Sequence, residues 1–366
     1  MPREAMLYSK LPTLPQRNVV RCNLCASRCI IPEGKTGFCL VRKNEGGKLF
    51  SLSWGKAVAL AMDPIEKKPF FHFKPGSSVL SFGTPGCNFR CLNCQNWDLS
   101  QAAREFGPSV LDGSTIPPAA IADAALRQKA AGMAYTYSEP TVFFEYAYDT
   151  IQECTKRQQE KKLSTDFFHL FVSNGYFTKE MLDIVEKEKL LSAIRIDLKF
   201  MDDDKYYEIT GGRLQPVLDS IKRVAALRKN AGWPIHLEVI NLVIPGENDS
   251  PDDFRALSEF ICRLSPDIPL HFSRFFPYYK MADRPATPIA SLLQAKKIAQ
   301  EVGLKYVYVG NTNIKGAENT YCPNCRHLLI ERDQFTLGRN VFAKLKGEEK
   351  RNPICPKCGD KIAIVL

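Results

Sequence analysis

The sequence predicts an α/β fold, a partial (β/α)6-type barrel with a small cysteine-rich metal-binding segment at each end. From residue 79 onward, short apolar runs alternate with longer amphipathic stretches, the pattern of repeated strand-helix units around a parallel sheet. Most of the 13 cysteines fall into three groups, within residues 22–39, 87–94 and 322–358. We therefore expect an N-terminal metal-binding lead-in over 1–75, the barrel over 76–312, and a zinc-ribbon-like domain over 313–366.

The first cysteine group consists of Cys22, Cys25, Cys29 and Cys39, in a glycine-rich stretch that is too short to bury a core of its own. A bound metal would stabilise this segment in place of a core. Zinc and a second [4Fe-4S] cluster both accept four thiolates, and the sequence spacing does not distinguish them.

The barrel is predicted from strands and helices that alternate along the chain. The predicted strands are Val79–Gly83, Met133–Tyr137, Phe168–Ser173, Ala193–Lys199, His236–Ile244, Leu270–Phe275 and Lys305–Val309. The predicted helices are Pro118–Ala131, Thr141–Glu160, Thr178–Lys187, Leu214–Asn230, Pro251–Leu264 and Pro288–Glu301. Six or seven such units are fewer than the eight of a closed barrel, so the sheet is expected to stay open.

The second cysteine group, Cys87, Cys91 and Cys94, lies in a loop directly after the first predicted strand. Three thiolates so close together can share one metal cluster and leave a metal position without a protein ligand. A structural zinc site normally has four protein ligands, so the odd number favours a reactive centre. The alternative is a zinc ion completed by a distant residue.

Polar motifs follow the later strands at the points where those strands end. They contain Ser138, Glu139, Ser173, Asn174, Asp197, Lys199, His271 and Arg274. In barrels and open parallel sheets the carboxyl ends of the strands carry the reactive site. The sequence therefore predicts one pocket that these residues share with the three cysteines.

The third cysteine group has two Cys-x2-Cys turns, formed by Cys322 with Cys325 and by Cys355 with Cys358. Such turns place two sulfurs on one tetrahedral zinc, as in zinc ribbons. An auxiliary iron–sulfur cluster is the alternative. The 29 residues between the turns exceed the usual spacing, so an inserted hairpin or loop is expected there.

The composition is that of a globular protein, with 45% hydrophobic and 25% charged residues. No apolar run approaches the ~20 residues that a membrane helix needs, so no membrane association is expected. Many cysteines without a secretory apolar segment indicate a reducing compartment, and we expect the cytoplasm. The net charge of +10 raises the possibility of a nucleic-acid partner, but the most basic stretch, 344–351, also contains acids and indicates a solvated loop.

The Cys-x3-Cys-x2-Cys loop after a strand resembles that of the radical S-adenosylmethionine (SAM) superfamily. The resemblance implies a [4Fe-4S] cluster bound by Cys87, Cys91 and Cys94, with the fourth iron bound by the amino and carboxylate groups of SAM. It also implies reductive cleavage of SAM to a 5′-deoxyadenosyl radical, which abstracts hydrogen from a substrate, and an electron donor such as flavodoxin or ferredoxin. Asn93 departs from the superfamily pattern, in which an aromatic residue often precedes the third cysteine.

SAM presents an ammonium, a carboxylate and ribose hydroxyls, and the polar motifs offer partners for each. Glu139 is expected to accept from the ammonium, with Ser138 and its neighbouring backbone assisting. The resemblance to glycyl-radical activating enzymes implies that the ribose and methionine ends are held by Ser173, Asn174, Asp197 and Lys199. His271 and Arg274 are expected to line the substrate side or to contact the SAM carboxylate.

The run Cys-Asn-Phe-Arg-Cys, Tyr-x-Glu-Pro-Thr, Ile-Asp-Leu-Lys, Ile-Pro-Gly-Glu-Asn-Asp and His-Phe-Ser-Arg-Phe resembles AmmeMemoRadiSam system radical SAM enzymes. That family is similar to pyruvate formate-lyase activating enzymes, and the resemblance implies a protein or peptide substrate. Two alternatives remain. An RNA-modifying radical SAM enzyme would account for the positive charge and the ribbon, and a non-catalytic zinc-binding interaction module would account for the cysteines outside the triad.

Overall fold

The computed structural model describes residues 2–11, 18–230 and 232–366. Its N-terminal part contains two small antiparallel sheets. Their strands are β1 (Arg3–Glu4), β2 (Tyr8–Lys10), β3 (Val20–Cys22), β4 (Ile30–Ile31), β5 (Arg42–Glu45) and β6 (Lys48–Ser51). The strands β1, β6 and β5 form one sheet, and β2, β3 and β4 form the other. A buried ion pair between Arg42 and Glu145, with an N–O distance of 2.7 Å, joins this part to the rest of the protein.

The largest sheet within the described residues has eight strands. They are β7 (Ala59–Pro64), β8 (Ser78–Gly83), β9 (Gly132–Tyr135), β10 (Phe168–Ser173), β11 (Ala193–Asp197), β12 (His236–Val243), β13 (Leu270–Arg274) and β14 (Val307–Gly310). From β8 to β14 each strand pairs in parallel with the next one along the chain. Crossovers of one hand between such strands curve the sheet into a partial barrel. The predicted strands are all present, and the predicted fold class is confirmed.

The edge strand β7 was not predicted, and it pairs antiparallel with β8. Its residues from 59 to 62 are exposed or half-buried, so it lacks the buried apolar run that identifies the other strands. Its assignment depends on its pairing partner, which a pattern of hydrophobicity does not reveal. This strand joins the barrel sheet from within the range 1–75.

Helices lie in the connections between the parallel strands. They are α1 (Trp97–Ser100), α2 (Ala102–Glu105), α3 (Pro118–Arg127), α4 (Phe144–Gln159), α5 (Lys179–Lys187), α6 (Asp203–Thr210), α7 (Leu214–Leu227), α8 (Pro251–Leu264) and α9 (Ile289–Glu301). The six predicted helices correspond to α3, α4, α5, α7, α8 and α9. A capping box fixes the start of α8: the Ser250 side chain accepts from the backbone N–H of Asp253, whose carboxylate accepts from the backbone N–H of Ser250. In the described part of the chain, no helix is both long and apolar enough to cross a membrane.

The short helix α6 was also not predicted, because its first turn is a run of acidic residues without apolar periodicity. The Asp202 side chain caps it by accepting from the backbone N–H of Lys205 at 2.8 Å. Gly211, with φ of 73°, ends it in the left-handed conformation that glycine adopts without strain. This helix matters for the site, since its last carbonyl groups face the cysteine loop.

The C-terminal part forms a three-stranded antiparallel sheet of β15 (Thr320–Tyr321), β16 (Leu328–Asp333) and β17 (Thr336–Asn340). The hairpin of β16 and β17 is the insertion that the long spacing between the cysteine turns predicts. The small core of this part is shared with the barrel, because Phe71, Tyr306 and Tyr308 pack into it beside Leu329 and Ile364. The ribbon is therefore fixed against the open side of the barrel.

Candidate active site

The strands of the partial barrel surround a cavity of about 670 Å³. The cysteine triad and most of the predicted polar residues line it together: Cys87, Cys91, Cys94, Ser138, Glu139, Ser173, Asn174, Asp197, Lys199 and His271. Residues near the carboxyl ends of successive parallel strands meet here because those ends lie at one edge of the sheet. Arg274 is the predicted residue that is not part of this lining.

The loop that carries the triad is held by its neighbours along both sides. Gly86 has φ of 102°, and a Cβ at this position would come within 2.5 Å of a valine methyl group of the N-terminal part. The backbone N–H groups of Arg90 and Leu92 donate to the last carbonyl oxygens of α6 at 2.8 and 2.9 Å. Those carbonyls have no partner within their own helix, so the loop satisfies them.

The four ribbon cysteines have the spacing of ligands around one metal ion. The Sγ atoms of Cys322 and Cys358 are 3.6 Å apart, and those of Cys325 and Cys355 are 3.7 Å apart. Tetrahedral zinc with Zn–S bonds of ~2.3 Å places its sulfurs ~3.8 Å from one another. The chemistry and the spacing of this group therefore fit a zinc ion.

The cysteine triad has a wider spacing. Among the residues that the structure describes, only the ribbon cysteines bring three or more possible ligand atoms within 4.8 Å of one another. The sulfurs of Cys87, Cys91 and Cys94 line one cavity without meeting that limit. A [4Fe-4S] cluster, in which each cysteine binds a different iron, needs such a separation. The triad therefore fits a cluster better than a single ion.

Burial raises the pKa of the three thiols of the triad, that of Cys91 to about 12. Each thiol consequently keeps its proton until a metal displaces it, because metal ligation requires the thiolate. Cys94 also lies 3.1 Å from the hydroxyl of Ser100, measured from Sγ to Oγ. Cluster binding at this site is therefore coupled to proton release.

Glu139 is a buried carboxylate that joins two of the predicted motifs. Its Oε1 accepts from the backbone N–H and the hydroxyl of Thr141 (3.0 and 2.5 Å) and from the hydroxyl of Ser173 (2.7 Å). Its Oε2 accepts from the backbone N–H of Asn174 at 2.7 Å. Burial raises the pKa of Glu139, and these hydrogen bonds act against that rise. The single hydrogen bond at Oε2 leaves that oxygen able to accept from a ligand in the cavity.

The turn before Glu139 is tied to the cysteine loop. Tyr137 has φ of 68°, which a residue with a side chain rarely adopts. Its carbonyl oxygen accepts from the side chain of Asn96 at 2.8 Å, and the hydroxyl of Ser138 donates to the carbonyl oxygen of Thr84 at 2.6 Å. Strained backbone of this kind persists where surrounding contacts fix it, which is typical of functional sites.

Asp197 lies between two cations at the end of β11. Its carboxylate accepts from Arg195 Nη2 at 2.6 Å and from Lys199 Nζ at 3.0 Å. Burial alone would raise the pKa of Asp197, but Arg195 and Lys199 hold it below its ordinary value. Two cations against one carboxylate leave a positive charge in the cavity, which suits a ligand carboxylate.

His271 is held in the cavity wall by a second buried carboxylate, that of Glu238. Glu238 accepts from the backbone N–H groups of Phe71 and His72 at 3.0 and 2.8 Å. It also contacts the ring nitrogens Nε2 of His236 (3.0 Å) and His271 (2.6 Å). Although burial acts in the opposite direction, the two histidines hold the pKa of Glu238 well below its ordinary value. An ionised carboxylate only accepts, so His271 carries its proton on Nε2 and keeps Nδ1 as an acceptor.

Arg274 is not among the residues that line the cavity, and its expected contact with SAM or substrate stays a prediction. His271 and Ser273 line the cavity, and side chains alternate along β13, so Arg274 belongs to the opposite face. Its Nε donates to the carbonyl oxygen of Thr287 at 2.9 Å, and its guanidinium lies 5.0 Å from the ring centroid of Phe276. Because side chains alternate between the two faces of a strand, the sequence spacing of three places His271 and Arg274 on opposite faces of β13.

The four N-terminal cysteines surround a separate, small cavity of about 10 Å³. Cys22, Cys25, Cys29 and Cys39 all line it. Burial raises the pKa of Cys25 and of Cys39 to about 12. These sulfurs, like those of the triad, do not form a group within 4.8 Å among the described residues. Zinc and a second [4Fe-4S] cluster both remain candidates for these four thiols.

Several cavity residues were not recognised in the sequence. Arg195 is one, although its spacing of two from Asp197 places both side chains on one face of β11. Asn311 and Asn313 come shortly after β14, the last parallel strand, and also line the cavity. Because the carboxyl ends of parallel strands carry the site, their position in the sequence would have identified them. No sequence pattern marks Glu66 and Phe335 as cavity residues. Glu66 lies in the connection between β7 and β8, and Phe335 lies at the turn of the ribbon hairpin.

Three buried polar atoms of the cavity residues have no hydrogen-bond partner among the described residues. They are Oδ1 of Asn93, Nε of Arg195 and Oε2 of Glu66. A buried atom of this kind costs free energy unless something satisfies it. Asn93 Oδ1 and Glu66 Oε2 accept and Arg195 Nε donates, so bound groups with both amine and carboxylate or hydroxyl functions fit the cavity. The residues present therefore fit SAM as well as the cluster.

Comparison with known proteins agrees with this geometry. The model of the radical SAM superfamily matches residues 82–261. An uncharacterized protein of Methanocaldococcus jannaschii is 44% identical over 365 residues, which cover 100% of both chains. A protein of the same organism named as a glycyl-radical enzyme activating enzyme is 24% identical, over 63% of this chain and 79% of its own length. A pyruvate formate-lyase-activating enzyme of Staphylococcus aureus is 24% identical, over 51% of this chain and 70% of its own.

Proposed function

This chain belongs to the radical SAM superfamily and is therefore an enzyme, and on that premise we propose that Cys87, Cys91 and Cys94 bind three irons of a [4Fe-4S] cluster. The fourth iron would bind SAM. When bound, the cluster and SAM supply a 5′-deoxyadenosyl radical that abstracts hydrogen from the substrate. The observation that supports this proposal is the single cavity that the triad shares with the polar strand ends.

The side chains of the cavity would bind and orient SAM. Glu139 would accept from the ammonium through Oε2, while it keeps Ser173 and Asn174 in place for the ribose and methionine ends. Lys199 would pair with the SAM carboxylate, and Asp197 with ribose hydroxyls. Ser138 would help to hold the ammonium side through its place in the turn that contacts the cysteine loop. The remaining function of these groups is to exclude water from the reacting atoms.

We propose a protein or peptide as the substrate, in the manner of a glycyl-radical activating enzyme. Two relatives that carry such names support this choice. The motif run supports a narrower assignment, to the AmmeMemoRadiSam system enzymes. His271 would line the substrate side and offer Nδ1 as an acceptor. A flavodoxin or ferredoxin would supply the electron. We propose that the protein acts in the cytoplasm. We also propose three domains, over residues 1–75, 76–312 and 313–366.

The direct test is anaerobic reconstitution with iron and sulfide, followed by dithionite and SAM. Formation of 5′-deoxyadenosine would support the proposed chemistry, and its absence from protein with a full iron content would end it. Deuterium transfer from a labelled candidate partner into 5′-deoxyadenosine would then identify the substrate class. Transfer from RNA in place of a protein would favour the RNA-modifying alternative.

Exchanging Glu139 for glutamine should weaken SAM binding by ~10-fold or more, since a charged hydrogen bond contributes about 1.5–3 kcal/mol. Iron content should stay close to that of the unmodified protein, because Glu139 is not a cluster ligand. SAM affinity is measured by equilibrium dialysis with the reconstituted protein. Glu208→Gln, at an exposed position of α6, is the matched control. Equal SAM affinity in both variants would contradict the proposal that Glu139 binds the SAM ammonium.

The metal that the N-terminal cysteines bind can be identified in a variant that lacks the three cysteines of the triad. In the triple variant Cys87→Ala, Cys91→Ala, Cys94→Ala, a second [4Fe-4S] cluster would leave ~4 irons per chain. The ribbon should retain ~1 zinc per chain in the same sample. Plasma emission spectrometry measures both. An iron content near zero together with ~2 zinc ions per chain would show instead that both outer groups bind zinc.

A further inference from the structure

The cavity has one wall that none of the cluster or SAM roles uses. It is formed by Glu66 and Phe71 from the connection between β7 and β8, by Glu318 before β15, and by Gln334 and Phe335 at the turn between β16 and β17. We call these five residues the ribbon wall. The hairpin in the long ribbon insertion thus contributes directly to the cavity of the barrel.

The two carboxylates of the ribbon wall have one guanidinium near them, that of buried Arg332. Its Nε is 3.9 Å from Oε1 of Glu66, longer than a hydrogen bond. Its Nη atoms donate to neutral acceptors, which are the carbonyl oxygens of Phe71 (2.7 Å) and Glu318 (3.1 Å) and the hydroxyl of Thr320 (2.8 Å). Arg332 is thus the cation beside Glu66, and it contacts Glu318 only through a backbone carbonyl oxygen, so the Glu318 side chain forms no ion pair among the described residues.

Glu66 presents an acceptor that nothing satisfies. Its side chain is 2% exposed, and Oε1 accepts from the backbone N–H of Gly76 at 2.8 Å. Its other oxygen, Oε2, has no hydrogen-bond partner among the described residues. A buried carboxylate oxygen without a donor is costly. A ligand that donates a charged hydrogen bond there would remove that cost.

Glu318 gives a second sign of missing positive charge beside that from Glu66. Burial raises the pKa of Glu318 to about 7, and the neighbouring carboxylates of Asp333 and Glu66 add to the rise, while Arg332 opposes it. The Glu318 carboxylate therefore lies where a negative charge is poorly stabilised by the protein alone. A cation bound beside it would stabilise the ionised form.

The surroundings favour an organic cation over a metal ion. Within the described residues, the carboxylates of the ribbon wall do not belong to any set of three ligand atoms within 4.8 Å, and hard metal ions need several oxygen ligands. The aromatic ring of Phe335, 49% exposed, borders the same space. The face of such a ring binds a cation and covers the alkyl stem that carries it.

We propose that the ribbon wall binds an ammonium or guanidinium group on an alkyl chain of the substrate, with Glu66 and Glu318 as its charge partners. This inference rests on the proposed function, because it takes the cavity as the place where a peptide substrate reacts. It specifies that the reacting peptide carries a lysine or arginine side chain, or a free amino terminus, within reach of the site. The ribbon then selects the substrate in addition to stabilising the fold.

The test compares two small probes that differ only in the terminal ammonium group of the side chain. Nα-acetyl-lysine N-methylamide and Nα-acetyl-norleucine N-methylamide are titrated calorimetrically into anaerobically reconstituted full-length protein with saturating SAM. SAM is kept bound so that its own ammonium already occupies its site. We expect the lysine probe to bind at least ~10-fold more tightly, as one charge-assisted hydrogen bond provides. Glu318→Gln should remove this preference, and Glu318→Asp should retain part of it.

Glu331→Gln, at an exposed position of the same hairpin, is the control and should keep the preference. Unfolding midpoints of all variants show whether the hairpin remains folded, and Phe335→Ala gives a second variant that should also weaken binding of the lysine probe. Equal affinity for the two probes, or an unchanged preference in folded Glu318→Gln, would overturn the inference. Production of 5′-deoxyadenosine by the unmodified protein is scored separately, so a failure of the proposed chemistry is distinct from a failure of this binding site.

Discussion

Replacing Cys91 by alanine is expected to abolish SAM cleavage. The variant removes one of three protein ligands of the cluster, and the loss of a cluster ligand exceeds the ~10- to 100-fold effect of losing a group that only supports a ligand. The change is measured as 5′-deoxyadenosine formed per reconstituted chain after dithionite reduction. We expect a fall of ~100-fold or more.

The matched control is Cys262→Ala, which removes a half-buried thiol outside the three cysteine groups. It should leave cleavage and iron content unchanged. The ribbon cysteines lie far along the chain and form their own site, so zinc content should be the same in both variants. If Cys91→Ala also lost the ribbon metal, general unfolding would explain its inactivity, and the role of the triad would need a different test.

The variant Arg42→Met should lower the free energy of unfolding by ~3–5 kcal/mol, the largest stability effect we expect from one side chain. Arg42 and Glu145 form a two-point ion pair with N–O distances of 2.7 and 3.0 Å. Their side chains are 2% and 0% exposed. Methionine fills similar space but leaves the Glu145 carboxylate buried without its cation. The loss is read from equilibrium urea unfolding followed by tryptophan fluorescence.

Two comparisons separate the buried charge from lost packing. The double variant Arg42→Met, Glu145→Leu removes both charges and should recover a large part of the loss, because an apolar pair has no unpaired ion. Arg263→Met, which breaks an exposed pair with Glu259 on α8, should change stability little. A single Arg42→Met variant as stable as Arg263→Met would show that the pair does not join the N-terminal part to the barrel.

The barrel was predictable because each of its strands carries a local signal. Buried parallel strands appear as short apolar runs, and polar residues that end several such runs must meet at one edge of the sheet. Ser173 and Asp197 were placed correctly in the cavity for this reason, without any knowledge of side-chain positions. The same rule, combined with alternation along β13, would have separated His271 from Arg274.

The rest of the site depends on contacts that no local pattern encodes. Glu66 follows the edge strand β7, which lacks a buried apolar run and whose place is set by pairing with β8. Glu318 and Phe335 belong to a separate small sheet, and they reach the cavity only because the ribbon packs against the open side of the barrel. The Cys-x2-Cys turns predict the metal site but carry no information about the orientation of the hairpin between them.

The position of the ribbon wall also gives an order to biosynthesis. Its ribbon residues Glu318 to Phe335 follow all the parallel strands in the chain, so the ribosome makes this side of the cavity last. The triad, encoded in the first third of the chain, can face an incomplete chamber while translation continues.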